Sequence, residues 1–320
     1  MTRRFISPFQ LRDYGILGIN RRNREYVSRY NPRRLFPLVD NKLLTKQTVA
    51  LAEIPTPGLI CEVRQQSEIR HLMDHLQGHS GFAIKPAKGS GGKGILVITH
   101  RDGDVFFKSS GVALTPEDLQ RHVSNILSGL YSLGGSADMT LIEDLIHVAP
   151  HFERFTVEGV PDIRVIVCRG FPVMAMMRLS THASDGKANL HQGAVGVGLD
   201  LATGKALNAV QRDQTIEVHP DTGEDLSTLE VPDWKDLLIT AARCYDVTGL
   251  GYLGTDMVID RDRGPLLLEL NARPGLSIQM TNGAGLLPRL RKIDSLSEAE
   301  TRLSAEKRVA MSQRWFGGLH

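Results

Sequence analysis

The stretch that most constrains this chain is GTDMVIDRDRGPLLLELNARPG, residues 254–275. Two runs of strand-forming residues flank the polar, glycine-containing segment Arg261-Asp262-Arg263-Gly264, which is a hairpin turn signal. If the loop is centred between Asp262 and Arg263, Asp256 falls directly opposite Glu269. Opposed side chains share a face, and the period-2 pleat returns Asn271 to it. Met257, Ile259, Leu268 and Leu270 then form the other, buried face. Two facing carboxylates repel unless a cation lies between them, and carboxylate and amide oxygens suit magnesium, whose shell is completed by waters and phosphates. Asp256, Glu269 and Asn271 are therefore the candidate metal ligands, with Arg273 beside them in the turn that follows.

A second stretch, GFAIKPAKGSGGKGILVIT at 81–99, reads as strand, glycine loop, strand. Glycine backbones approach phosphate oxygens closely and lysines add charge, so a flexible lid over phosphates fits; a Gly/Ser hairpin without function is the plain alternative. Gly94 stands where a Walker loop needs Ser or Thr, and a strand rather than a helix follows, which also excludes a dinucleotide fingerprint. Lys85, at the end of the entering strand, is a second candidate phosphate contact. Asp162, Arg164 and Arg178 interrupt otherwise apolar strands over 162–168 and 172–179, where charges are costly unless they pair or face a site. The strand at 140–146 holds Glu143 and Asp144, and the polar loop 184–193 holds Lys187, Asn189 and His191.

Helices are expected from a cap at Asp40, with Lys42 and Lys46 one turn apart, over 67–76, from a cap at Thr115, and over 232–245. Residues 1–38 show no sustained period and read as a connecting segment, and 297–315 as a charged helical tail that packs on the body or a partner. Nine arginines against three acids give residues 1–40 a charge of +6, leaving −4 for the rest of a chain whose net charge is +2. That basic segment is either a nucleic-acid surface, disfavoured because no RNA-binding signature accompanies it, or an arginine-rich face that packs or attracts an acidic substrate. With 320 residues, 41% hydrophobic, the chain can bury two or three lobes. Three scattered cysteines without CxxC spacing fit a reducing compartment. No apolar run suits a membrane span or secretory signal, so a cytoplasmic protein is expected.

Glycine lid with a preceding Ile-Lys, acidic strand, then Asp…Glu-x-Asn hairpin: in this order the features resemble the ATP-grasp superfamily. DNKLLTK (40–46), IPTP (54–57), DIRV (162–165), NLHQGA (189–194) and ELNARPGL (269–276) are similar to the RimK-like α-L-glutamate ligases. GINRRN (18–23) and RPGLSIQ (273–279) resemble the sugar-transfer-associated members. The resemblance implies an α+β fold of two lobes with antiparallel sheets gripping ATP. The expected divisions are a basic segment at 1–38, a lid lobe at 39–146, a metal-hairpin lobe at 147–292 and a tail at 293–320. It implies nucleotide contacts from Lys42, Lys85, Lys88, Ser90, Gly91, Glu143, Asp144, Leu145, Ile146, Asp162, Lys187 and Asn189. Two Mg²⁺ ions, replaceable by Mn²⁺, would sit on Asp256, Glu269 and Asn271, with Arg164, Arg178 and Arg273 catalytic. The implied reaction joins a carboxylate to an amine, on an amino acid such as glutamate or a peptide-like acceptor, with release of ADP and phosphate. A non-ligating ATP-binding regulator or scaffold, and a small-molecule phosphotransferase, are the alternatives. A homo-oligomer or partner protein could use the N-terminal segment or the C-terminal helix.

Overall fold

In the computed structural model, which describes residues 7–318 except residue 90, two antiparallel sheets carry the candidate residues. The first contains β1 (Leu59–Val63), β2 (Phe82–Pro86) and β3 (Leu96–Ile98) with a later strand, β7 (Thr140–Asp144), in the order β1-β7-β2-β3. Between them, β4 (His100–Asp102), β5 (Val105–Phe107) and β6 (Ala113–Leu114) form a small separate sheet. The helix Pro116–Leu127 covers this lobe. Thr115 caps it in a reciprocal box with Asp118, proline starts it, and Leu119, Val123, Ile126 and Leu127 are buried with Phe82, Ile84 and Phe106.

The second sheet has seven strands: β8 (Asp162–Cys168), β9 (Phe171–Leu179), β10 (Val195–Leu199), β11 (Ala206–Gln211), β12 (Gln214–Ile216), β13 (Tyr252–Asp260) and β14 (Gly264–Asn271). Their spatial order is β12-β11-β10-β9-β8-β13-β14. The helices Trp234–Thr248 and Ala305–Phe316 cover one face, burying Leu237, Leu238, Ala241, Val309 and Phe316 against it.

Several local expectations are corrected. The N-terminal segment is a series of short helical turns, including Pro8–Asp13, a wide π stretch Arg22–Val27 and Pro37–Asp40. Each is too short to show a period, yet Leu17, Tyr26, Val27 and Val39 are buried in the larger core. The helix Lys42–Ala50 is capped by Asn41, whose side chain accepts from the Leu43 and Leu44 N–H groups, while Asp40 ends the preceding turn. Residues 66–75 begin as the 3₁₀ stretch Gln66–His71, boxed by Gln65 and Glu68, before the turn Leu72–His75. The C-terminal segment divides into Glu298–Thr301 and Ala305–Phe316, and packs on the body through a buried Arg308 paired with Asp246.

The hairpin has one irregularity. Asp256 faces Glu269 and Gly254 faces Asn271, as the spacing predicts, but Met257 faces Leu267, so a bulge at Leu268 absorbs one residue. The shorter turn ends at Gly264, in the left-handed region at φ 71°. Leu266 and Leu267 are buried, and Leu268 only half so.

Candidate functional site

Register places the charged residues of the large sheet on one face. Asp162 opposes Arg178, Arg164 opposes Asp256, and Asp256 opposes Glu269 on its other side. The side chains realise this pairing. Arg164 grips Asp256 with both ends of its fork, Nε to Oδ1 at 2.7 Å and Nη2 to Oδ2 at 2.5 Å. Arg178 reaches the same Oδ2 at 2.9 Å and makes a two-pronged pair with Asp162, Nη2 to Oδ2 at 2.6 Å. Burial pulls the Asp256 carboxyl up, but the two guanidinium groups more than offset it and hold it well below the usual carboxylate range. Burial, with the like charge of Asp256, pushes Asp162 up to about 6 despite Arg178.

Glu269, at the open end of this row, is less buried and pairs with Lys42 at 3.3 Å; the Lys42 ammonium also donates to the Gly89 carbonyl of the glycine loop at 2.8 Å. Three acids, Asp162, Asp256 and Glu269, thus meet three bases, Arg164, Arg178 and Lys42. Asn271 turns its Oδ1 to the Arg273 N–H at 2.8 Å, and the exposed Arg273 guanidinium lies 4.9 Å over the Phe36 ring.

The smaller sheet holds a second cluster. Lys85 and Lys46 share the buried Glu143, with Lys46 at 3.0 Å from Oε1 and Lys85 on Oε2. Burial raises the Glu143 pKa, yet the two ammonium groups bring it below its ordinary value; burial in turn lowers Lys46. From the sequence alone Lys46 is half of a pair on a helix face. Its spacing from Lys42 was the available signal, and what it lacked was the fold that sets β7 alongside. Lys46 also donates to the Pro57 carbonyl and, at 3.2 Å, to Thr56 Oγ1, so the IPTP segment closes over it.

Between the clusters, residues 143–148 fasten to the hairpin's turn end. Arg263 reaches Asp144 at 3.5 Å and the Leu145 carbonyl at 3.1 Å, and Asp260 accepts from the His147 N–H at 3.0 Å. Ile146 follows, half-buried. In the glycine loop Gly91, Gly92 and Gly94 all have positive φ, and the Lys88 N–H is held by both Asp138 oxygens at 3.1 Å while its ammonium stays exposed. Ser90 lies outside the described residues. Lys187 pairs with Asp185 at 3.1 Å, its stem beside Gly92, and Asn189 caps the 3₁₀ turn Leu190–Gln192 through the His191 N–H. Both side chains thus have local partners, and Lys187 also lies against the glycine loop.

Among the described residues no group of three His, Cys, Asp or Glu side chains forms a metal cage. Asp256, Glu269 and Asn271 bring two carboxylates and an amide that could hold a hard cation such as magnesium, with water and phosphate completing its shell, once Asp256 is shared with Arg164 and Arg178.

A family model described as sugar-transfer associated ATP-grasp matches residues 21–295. No curated protein matches the chain. Among solved structures, the ATP-grasp ligase PsnB complexed with a minimal precursor aligns at 14% identity and TM-score 0.44, covering 88% of this chain and 63% of that one. D-cycloserine synthetase DcsG aligns at 13% and 0.45, over 89% and 73%. D-alanine–D-alanine ligase from Bacillus anthracis aligns at 14% and 0.41, over 87% and 68%. The chain therefore spans less than two thirds of the length of the PsnB chain.

Proposed function

The chain belongs to the sugar-transfer-associated ATP-grasp family, its two-lobed α+β architecture being the ATP-grasp fold, and on that premise we propose that it is an ATP- and Mg²⁺-dependent carboxylate–amine ligase. The observation that carries the reading is the neutralised row on the large sheet, Asp162–Arg178–Asp256–Arg164, ending at Glu269 and Lys42. Opposed acids and bases at this density are a poor way to stabilise a sheet, since buried ion pairs seldom repay their desolvation. They suit a ligand that carries both signs. Mg-ATP, when bound, would offer its cation to the carboxylates and its phosphate oxygens to the arginines and Lys42, so that each charge would exchange one partner for another.

Bound magnesium would be held by Asp256, Glu269 and Asn271 and would neutralise charge on the transferring phosphoryl group. Lys85 and Lys46, released from Glu143, supply charge to the phosphates from the lid side, and the chain from Glu143 to Ile146 offers backbone to the base. A substrate carboxylate oxygen bonds to the γ-phosphorus as the bond to ADP breaks. The amine nitrogen then bonds to the acyl carbon, losing a proton, as phosphate departs. Arg164, Arg178 and Arg273 are the donors available to the equatorial oxygens and to the oxyanion of the second step. An amino acid such as glutamate, or a peptide-like acceptor, has the two groups required.

A screen of pooled amino acids and peptides, scoring ADP release together with new masses, tests the reading. The expected result is ADP and phosphate in step with an amide product, and a hydroxamate when hydroxylamine replaces the amine. Formation of AMP and pyrophosphate overturns it.

A further inference from the structure

The turn Ala272-Arg273-Pro274 follows the hairpin, and its three successive carbonyls all accept from side chains of the N-terminal segment. Asn31 Nδ2 donates to the Ala272 carbonyl at 3.2 Å and to that of Tyr252 on β13 at 2.6 Å. Arg22 Nη1 donates to the Pro274 carbonyl at 2.7 Å and to that of Arg273 at 3.4 Å. Both residues are buried, Arg22 at 8% and Asn31 at 2% exposure. Phe36, from the same segment, lies under the Arg273 guanidinium. The turn has a fitted seat as well, because a Cβ on Gly254 would come within 2.7 Å of Pro274 Cβ.

Arg22 is chemically odd. Among the described residues all its hydrogen bonds end on neutral oxygens, those of the turn and Asn23 Oδ1 at 2.8 and 3.1 Å. A buried guanidinium without a carboxylate is costly, and orphaned turn carbonyls would be costly too. Arg22 is the first residue of the π stretch Arg22–Val27, and its fork meets the carbonyls of the turn after the hairpin. What it holds is the backbone that aims Arg273 and, through the Arg273 N–H, the Asn271 amide.

We propose that Arg22 and Asn31 are positioning residues that hold Arg273 toward the transferring phosphoryl group, making the N-terminal segment a wall of the active site. The inference rests on the nucleotide-site reading above and adds the segment to it.

The test uses the full chain and two probes, Mg-AMPPNP and Mg-ADP, titrated by calorimetry into the parent, Arg22→Met, Arg22→Lys and Arg273→Ala. Arg22→Met should lose about tenfold in affinity for Mg-AMPPNP and less than about twofold for Mg-ADP, because only the former carries a γ-phosphoryl. Arg22→Lys, which can reach only one carbonyl, should lose less but measurably. In an Arg273→Ala background, Arg22→Met should not change the ratio further. A purely structural Arg22 would lower the melting temperature and weaken both probes equally, and that result overturns the proposal, as does no change. If Arg22→Met does not fold, an unaltered affinity ratio in Arg22→Lys overturns it. A parent that binds neither probe overturns the nucleotide-site reading and the proposal together.

Discussion

Asp162 and Asp256 carry the same side chain on one sheet face and are driven in opposite directions. Asp256 touches two guanidinium groups and stays ionised, whereas Asp162 touches one, and desolvation together with the neighbouring charge of Asp256 carries it up to about 6. Its ordinary value is 3.8, so the fold binds the proton more tightly than the unfolded chain. The ionised form therefore costs stability, fully so above pH 6, and the cost fades as pH falls through 6 toward 3.8. The depressed Asp256 contributes stability that is lost only below its unfolded value, outside that window. Between pH 7.5 and 5 the parent should gain about 2 °C in melting temperature relative to Asp162→Asn, which has no proton to take up. Parallel curves for the two proteins, by scanning calorimetry, would remove Asp162 as the titrating group. The sequence announced the charges at 162, 164 and 178 by breaking apolar runs, but which acid keeps its proton depends on how many arginines reach it across strands.

At the scale of elements, the hairpin β13–β14 was readable because a two-residue alternation and a polar turn fix register locally. The bulge was not, since Leu266, Leu267 and Leu268 are chemically equal and only packing decides which one is extruded. It falls on the turn side of Asp256, so the opposition of Asp256 and Glu269 survives. Glu269 is the half-exposed member, and among the described residues its side chain pairs with Lys42 alone, so its charge should matter to chemistry and little to folding. Glu269→Gln is expected to melt within a few degrees of the parent, an exposed pair being worth about 1 kcal/mol or less. ADP release should nevertheless fall at least ~100-fold, the scale of losing one positioned electrostatic group. An active Glu269→Gln protein would take the metal site away from this hairpin. The cap of Lys42–Ala50 marks the same limit of local reading: Asp40 and Asn41 are both good caps, and the choice fell to the turn Pro37–Asp40, which absorbs Asp40.

For the whole molecule, the two-lobed fold was legible through the resemblance to the ATP-grasp order of lid, acidic strand and hairpin, but the mutual fastening was not, because each tie joins residues far apart in the chain. The Leu267 N–H donates to the Pro55 carbonyl at 2.8 Å, Arg263 bridges to Asp144, and Lys42 joins the glycine loop to Glu269. The N-terminal turns escaped notice for a related reason: their buried Tyr26 and Val27 meet partners such as Tyr252 only in three dimensions. Of the ties, Lys42 alone connects the loop expected to close over phosphates with the carboxylate expected to hold metal, so it senses both halves of the ligand. Without ligand its ammonium restrains the loop through the Gly89 carbonyl. Lys42→Met should free that end, and amide hydrogen exchange in peptides spanning the glycine loop should quicken roughly tenfold while the sheet β1-β7-β2-β3 keeps its protection. Adding Mg-AMPPNP should slow exchange again in the parent and much less in Lys42→Met, because Lys46, one turn along the same helix, and Lys85 are paired with Glu143 and do not replace the bond to Gly89. Equal protection of the loop in both proteins, with and without nucleotide, would show that the lobes are coupled elsewhere, and would leave Lys42 as an ordinary partner of Glu269.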